Sequence, residues 1–370
     1  MLIKLYVCGE ENFINKEDWL GPGYLVSNCS SKDVKIKVVP SRKDLVDCDL
    51  IGLSAAAWAL PEAIDIVQNT EIPVVIGGPG TLWEDLQNYP FKHIVIGEGE
   101  KAFQKIINGE AKEKVIRENL IENLDTLKFP KRKISSKYPS ICSARGCQFK
   151  CNYCTSPAFW GRVRYHSADY FIEEVKHLKT LYNVVPWLDV VDDTFIIDRG
   201  RFDKIHSLWV KNSFNTIRPR VYIRADIFNR DIAQQLKEMK TIAIGLGVET
   251  GSERSRKKLL NKYISNEQYQ NTIDIGNEFG FKVLTYFMAG IPDETEEDIK
   301  LTEEFLDKNK NKMYPEILRF KPFPGTKYYK NESPEKMFPP RFSNHPERYK
   351  QPINSRGTRG KIVSRKQIQK

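Results

Sequence analysis

Over the first hundred residues, short apolar runs alternate with amphipathic stretches: LIKLYVCG, VKIKVVP, LIGLSAA, PVVIGGPG and HIVIGEGE. The runs are bounded by Gly, Pro and Ser and predict strands, whereas PEAIDIVQN, TLWEDLQN and EKAFQKIING between them carry apolar positions at helical spacing. This alternation predicts an α/β domain over residues 1–110, a doubly wound, Rossmann-like parallel sheet that binds ligands at the carboxyl ends of its strands. Residues 111–135 are charged and show little β-pattern, so they predict a linker with one helix and an extended lead-in at Pro130.

The rhythm resumes over residues 136–328. A strand precedes a cysteine-rich loop, a helix follows, and then PWLDVVDD, RVYIRAD, TIAIGLGVET and KVLTYFMAG alternate with helical segments. About six βα repeats in this length predict a partial TIM-type (βα)6 barrel, with its active site at the C-terminal ends of the strands. Residues 329–370 are rich in Pro, Lys, Arg, Asn and Ser and predict a basic, partly disordered tail.

The chain has 370 residues, 40% of them hydrophobic, enough for a full core and two domains. No apolar stretch is long enough to span a bilayer, and the N-terminus turns polar too early for a secretory signal, so a soluble cytoplasmic protein without a membrane partner is expected. The net charge is +10, but residues 331–370 hold ten Lys or Arg against three Glu, and the rest is nearly balanced. A solvated tail explains that surplus more simply than nucleic-acid binding, although RNA, DNA or an anionic metabolite stay open as partners.

The seven cysteines are an odd number, and three of them crowd into eight residues, which does not fit a disulfide framework. In RGCQFKCNYCTSP, Cys147, Cys151 and Cys154 have the spacing Cys-x3-Cys-x2-Cys. Structural zinc takes four protein ligands, commonly in paired sets, and no second pair or histidine cluster follows. Three thiolates on a loop after a strand suit three irons of a 4Fe-4S cluster and leave the fourth open. Cys142 falls in the preceding strand and reads as a buried free thiol.

With Tyr153 just before its third cysteine, this motif resembles the signature of the radical S-adenosylmethionine (SAM) superfamily. The resemblance continues through CNYCTSPAFWGRVRYHSADYFIEEV, DDTF at 192–195, GVETGS at 247–252 and FMAGIPDET at 287–295, about half of the chain. It implies that Cys147, Cys151 and Cys154 hold a 4Fe-4S cluster whose open iron chelates SAM. One-electron reduction by an external flavodoxin- or ferredoxin-type partner then yields methionine and a 5'-deoxyadenosyl radical. On the same resemblance Asp192 and Asp193 are candidate catalytic residues near the methionine moiety. Glu249 meets the SAM ribose, Arg224 helps to hold the SAM carboxylate, and Tyr153 lines the cofactor. Each has an ordinary alternative: Asp193 as a helix cap, Glu249 as a loop charge, and GIPDET as a turn with Thr295 at an N-cap and Asp298 in the first turn.

In the first domain, IGLSAAAW, VVIGGPGTLWEDL and HIVIGEGEKAF resemble the cobalamin-binding-type domain that precedes the radical SAM core in one large class. Many such domains ligate cobalt through a histidine, and here none occurs before His93. The resemblance therefore implies cobalamin held without that ligand, approached by Ser54, Gly77, Gly78 and Pro79, against the alternative that the glycines merely form tight turns in a vestigial domain. Cys8, Cys29 and Cys48 raise comparison with methylthiotransferases, which bind a second cluster through three N-terminal cysteines, but GGPG stands where the third is expected. The leading expectation is a methyltransferase in which methylcobalamin supplies a methyl group to an unactivated centre of a small or anionic substrate. The alternatives are a cobalamin-free cyclisation, rearrangement or oxidation enzyme, and a metal-bearing nucleic-acid-binding protein.

Overall fold

Strands of a parallel sheet covered on both faces must be apolar on both. In the first apolar runs this holds: Leu50, Ile51 and Leu53 are buried, as are Val74, Val75 and Ile76. The computed structural model describes residues 1–9, 19–132, 139–182 and 185–332. These residues form two units, one of 1–140, 155–166 and 322–332, the other of 141–154 and 167–321.

In the first unit, β1 (Leu2–Val7), α1 (Leu20–Asn28), β2 (Lys35–Val38), β3 (Leu50–Ser54), α2 (Leu60–Gln68), β4 (Val74–Gly77), β5 (His93–Val95), α3 (Gly99–Ile107) and β6 (Val115–Ile116) follow in order. The strands make a six-stranded sheet of order β2-β1-β3-β4-β5-β6, parallel throughout. One core layer joins Tyr6, Ile51 and Ile76 to Leu60 and Ile64 of α2; another joins Ile3, Leu50 and Val75 to Phe103 of α3. The winding reverses between β1 and β3, which places the ligand-binding crevice of such a sheet beyond their C-terminal ends.

Two expected helices are absent. TLWEDLQN forms 3-10 turns at Pro79–Leu82 and Glu84–Asn88. Trp83 lies between them in extended conformation and is buried in the core, too early for a helix to establish itself. In the described part of 111–135, burial of Ile116, Ile121, Leu124 and Leu127 ties the chain down as β6 and a 3-10 turn, Leu124–Thr126, instead of a helix.

Further along the chain come the two-residue strands β7 (Ser140–Ile141), β8 (Ala144–Arg145) and β9 (Arg164–Tyr165), and the short helix α4 (Ser156–Trp160). The second unit then alternates α5 (Ala168–Leu181), β10 (Val185–Val190), α6 (Arg199–Lys211), β11 (Ile217–Ile223), α7 (Arg230–Glu238), β12 (Ala243–Glu249), α8 (Asn266–Glu278), β13 (Lys282–Ala289), α9 (Glu296–Asn309) and β14 (Tyr314–Arg319). The sheet order, β14-β13-β12-β11-β10-β7, places each strand beside its predecessor, the open-barrel winding expected of successive βα units.

Helices α5 to α9 each begin at a side-chain cap: Ser167, Asp198, Asn229, Ser265 and Thr295. At Thr295 the cap is reciprocal, with Asp298 bonding back, so GIPDET does carry the helix-start chemistry its residues suggest. The expected tail lies outside the described residues from 333 onward. Among the described residues no helix is long and apolar enough to cross a membrane.

Candidate active site

The cysteine loop follows β8 in the second unit. Cys147, Cys151 and Cys154 are half-buried and form no disulfide, with the Cys154 N–H donating to the Cys151 carbonyl at 3.1 Å. Among the described residues no group of three His, Cys, Asp or Glu side chains could hold a metal ion. A cubane cluster spreads its thiolates over separate irons, and three half-buried thiols on one loop fit that demand.

The loop is held by the segment that follows β12. The Asn152 N–H donates to the Leu260 carbonyl at 3.0 Å, and the Asn152 amide donates to the Leu259 carbonyl at 2.7 Å. Asn261 Nδ2 returns a bond to the Lys150 carbonyl at 2.7 Å. Asn261 takes φ of +53°, a conformation that asparagine tolerates better than most residues. It follows a π-helical turn, Ser255–Leu259.

Glu249 closes β12 in the left-handed region, φ +69°, where the ladder to β13 slips by one residue. Its Oε1 accepts from the Tyr153 hydroxyl at 2.8 Å and from Lys262 Nζ at 2.9 Å. Lys262 also donates to the Gly247 carbonyl at 2.6 Å, and Tyr269 donates to the same oxygen at 2.8 Å. Burial alone lowers the affinity of Lys262 for its proton, but the Glu249 charge overrides this and the net shift is upward. The Tyr153 phenol is pushed well above its ordinary value by burial, then by the charge on Glu249.

Arg224 leaves β11 toward the same loop. Its guanidinium lies 3.4 Å from the Phe149 ring centre and bonds both oxygens of Asp226, at 3.1 and 2.9 Å. Burial pushes the Cys147 thiol up, the Phe149 N–H opposes this, and Asp193 pushes it higher while Arg224 pulls it down. Asp193 is exposed. Asp192 instead turns inward. Its Oδ1 accepts from the Ser143 and Ala144 N–H groups at 2.6 and 3.1 Å, and the Ser143 hydroxyl bonds Oδ2. That geometry clamps the strand leading into the cysteine loop. Cys142, beside it, bonds the Ala144 carbonyl through Sγ at 2.9 Å, and burial drives its thiol far up.

In the first unit Ser54 ends β3 and pairs in register with Gly77, the end of β4. Gly78 has φ of +93°, and a Cβ there would come 2.8 Å from the Ala55 carbonyl oxygen, so this turn requires glycine. A Cβ on Gly77 would meet nothing nearer than the Val95 oxygen at 3.9 Å, so backbone is presented to open space beside Ser54; Pro79 is exposed. Cys8 packs in the core layer of α2 and Cys29 in that of α3. No three-cysteine site forms there among the described residues.

The sequence reading brought Tyr153, Glu249, Arg224, Asp193 and the three cysteines to one end of the second sheet. It missed Lys262, the Asn152–Asn261 clasp and Ser143. The one available signal was Asn-Lys directly after a helical run, a helix-end asparagine followed by a charge.

Residues 141–306, under half of the chain, match the Radical SAM superfamily model, and this part of the chain is similar to a radical SAM domain. The chain is 27% identical over 320 residues to a protein named as an uncharacterised methyltransferase of Pyrococcus horikoshii, an overlap of 76% of this chain and 69% of that one. It is 27% identical over 254 residues to the tRNA-2-methylthio-N(6)-dimethylallyladenosine synthase of Thermosipho melanesiensis, 63% of this chain and 56% of that protein. The fold is similar to that of the radical SAM methyltransferase TsrM from Kitasatospora setae, whose structure holds cobalamin and a 4Fe-4S cluster. The TM-score is 0.71 at 15% identity over 88% of this chain and 73% of that one. It is similar also to the cobalamin-dependent enzyme OxsB, with a TM-score of 0.69 at 18% identity over 86% of this chain and 53% of that one.

Two outcomes follow from this geometry. Lys262→Met leaves the Glu249 carboxylate buried without its cation and is expected to cost about 3–5 kcal/mol in urea unfolding of the cluster-free protein. A loss of the size of a surface pair, under about 1 kcal/mol, would contradict that. Burial raises the Asp192 carboxyl to about 6, against the pull of Arg201 and the Ser143 and Ala144 donors. Its folded pKa thus lies above its unfolded one, so its contribution to stability is full at low pH and is lost as pH rises through 6. Asp192→Asn keeps an acceptor for both N–H groups and removes this titration. Relative to the native protein, its unfolding free energy should gain about 2 kcal/mol between pH 4 and 7; parallel pH profiles would refute the assignment.

Proposed function

We propose that this protein is a cobalamin-dependent radical SAM methyltransferase acting on an unactivated centre. The observation that carries the reading is the docking of a three-cysteine loop onto Glu249 through Tyr153. The chain also carries a doubly wound domain whose β3 and β4 ends, at Ser54 and Gly77, offer open backbone. When bound, the cluster and SAM supply a carbon radical that abstracts hydrogen, and cobalamin supplies the methyl carrier.

Each residue of the chain has a task in this account. Cys147, Cys151 and Cys154 ligate three irons. Glu249, fixed by Lys262 and Tyr153, presents its remaining lone pairs to the hydroxyls of the nucleoside. Arg224 offers a guanidinium to a carboxylate. Asp193, exposed beside Cys147, is the acid–base candidate, and Asp192 positions the loop. Ser54, Gly77 and Gly78 let a flat macrocycle and its nucleotide tail approach the backbone. A flavodoxin- or ferredoxin-type protein supplies the electron, and free thiols beside a low-potential cluster suit the reducing cytoplasm.

The test is anaerobic reconstitution with iron, sulfide and hydroxocobalamin, followed by iron analysis, corrin absorption and mass spectrometry of SAM products under dithionite. Release of 5'-deoxyadenosine that disappears in Cys151→Ala, together with bound corrin displaced in Gly77→Leu, is the expected result. Cleavage without corrin would leave a radical SAM enzyme of the cyclisation, rearrangement or oxidation kind, and absence of both would overturn the proposal.

A further inference from the structure

The chain enters the three-cysteine loop from the second unit and leaves it into the first: residues 141–154 belong to the one and 155–166 to the other. Helix α4 begins at Ser156, two residues beyond Cys154, and has only five residues. A helix of that length does not hold itself together in water, so its placement comes from what it packs on. It lies against the 3-10 turn Pro79–Leu82, and its Phe159 is buried. The approach is close. A Cβ on Gly97, past the end of β5, would stand 3.6 Å from the Phe159 carbonyl oxygen, and one on Gly325 would stand 2.8 Å from the Ala158 Cβ and 3.1 Å from Leu82.

The turn is tied in its own right to the strand ends. The Thr81 hydroxyl lies 2.8 Å from the Gly78 carbonyl and 3.1 Å from the Val95 carbonyl, and the Gly80 N–H donates to the Ala55 carbonyl at 2.8 Å. Helix α4 therefore shares its support with Gly77 and Gly78. At its start the Phe159 N–H donates to the Thr155 carbonyl at 3.0 Å, so the first turn reaches back to the residue that follows Cys154.

Arg164 closes the other end of α4. Its Nη1 donates to Glu98 Oε2 and to the Ile121 carbonyl, both at 2.8 Å, and its Nη2 donates at 3.4 Å to the carbonyl of Trp160, the last residue of the helix. Glu98 Oε2 also accepts the Ile121 N–H at 2.7 Å. Arg164 and Glu98 are both buried. A buried pair of this kind adds little net stability over an apolar replacement, but neither charge has solvent to turn to if the geometry slips. A planar guanidinium spread over three acceptors holds one orientation, which an ammonium does not. Arg162, two residues away, shows the contrast: it pairs with Glu122 where both side chains are exposed and solvent screens the charges.

We propose that Arg164, with Glu98, is a positioning residue for Cys154, and that α4 links the placement of this thiol to occupancy of the corrin site at Gly77 and Gly78. A ligand that packs on the β4 turn and a cluster that draws on Cys154 favour the same setting of α4, so each strengthens the hold on the other. The inference rests on the cobalamin-dependent reading and adds a linkage between its two cofactors. Such linkage is reciprocal: the factor that corrin adds to the hold on the cluster is the factor that the cluster adds to the hold on corrin.

The test uses the full chain carrying its cluster, with iron release to the chelator ferrozine followed by absorbance, with and without saturating hydroxocobalamin. Bound corrin, read from its own absorption, should slow iron release by about tenfold in the native protein, a coupling of ordinary size. Arg164→Lys keeps the charge but not the fork. It should release iron faster without corrin, still bind corrin, and gain less than about twofold protection from it. Arg162→Met, which alters only the surface pair, should behave as the native protein does. Equal release with and without bound corrin in the native protein would overturn the linkage. Undiminished protection in Arg164→Lys with corrin bound would overturn it too, since that marks simple shielding of the cluster. Release at the native rate by corrin-free Arg164→Lys would overturn the positioning of Cys154. Should Arg164→Lys not fold, Phe159→Leu, a milder change in the same helix, takes its place with the same expectations. If the native protein binds no corrin, the cobalamin reading fails by itself, and the corrin-free release rates still decide whether Arg164 positions Cys154.

Discussion

The buried pair of Glu249 and Lys262, at 2.9 Å, is the constraint on which the active end of the second unit depends. A carboxylate there must be reached through a left-handed residue at a strand end, a conformation that costs free energy unless its surroundings hold it. Lys262 supplies that hold, bonding the carboxylate and the Gly247 carbonyl together. Tyr153 then uses the same carboxylate oxygen to pin the cysteine loop. One ion pair thereby fixes a strand end, a turn and the three-cysteine loop, and the low local dielectric that makes it strong also makes its loss severe.

Around this point the fold assigns tasks by sheet geometry. In the second unit one face of each strand is spent on the helices, which leaves the other for chemistry, and period-two alternation delivers Arg220, Tyr222 and Tyr286 to that face without disturbing the core. In the first unit both faces are buried, so only strand ends are available, and small residues such as Ser54 and Gly77 occupy them. The difference explains why the first unit presents backbone and the second presents side chains.

Much of this was legible from the sequence. Strands announce themselves where burial on both faces forces continuous apolar runs, as in LIGLS and PVVIG, and the spacing of Cys147, Cys151 and Cys154 is a local signal of cluster chemistry. What escaped was long-range. Lys262 lies more than a hundred residues from Tyr153, and nothing near it in sequence marks a buried cation. Asp192 looked like a second acid beside Asp193, and only its bonds to Ser143 and Ala144 distinguish a clamp from an exposed carboxylate. TLWEDLQN has helical spacing, but the burial demanded of Trp83 outweighs it.

The central claim is that three thiolates hold a 4Fe-4S cluster with one iron open to SAM. Electron paramagnetic resonance of the dithionite-reduced, reconstituted protein, recorded with and without SAM carrying oxygen-17 in its carboxylate, tests it most directly. The account predicts a 4Fe-4S signal whose g-values shift on addition of SAM, with resolved oxygen-17 coupling to the cluster. A signal unchanged by SAM, or a protein that binds metal only as a mononuclear ion, would contradict it.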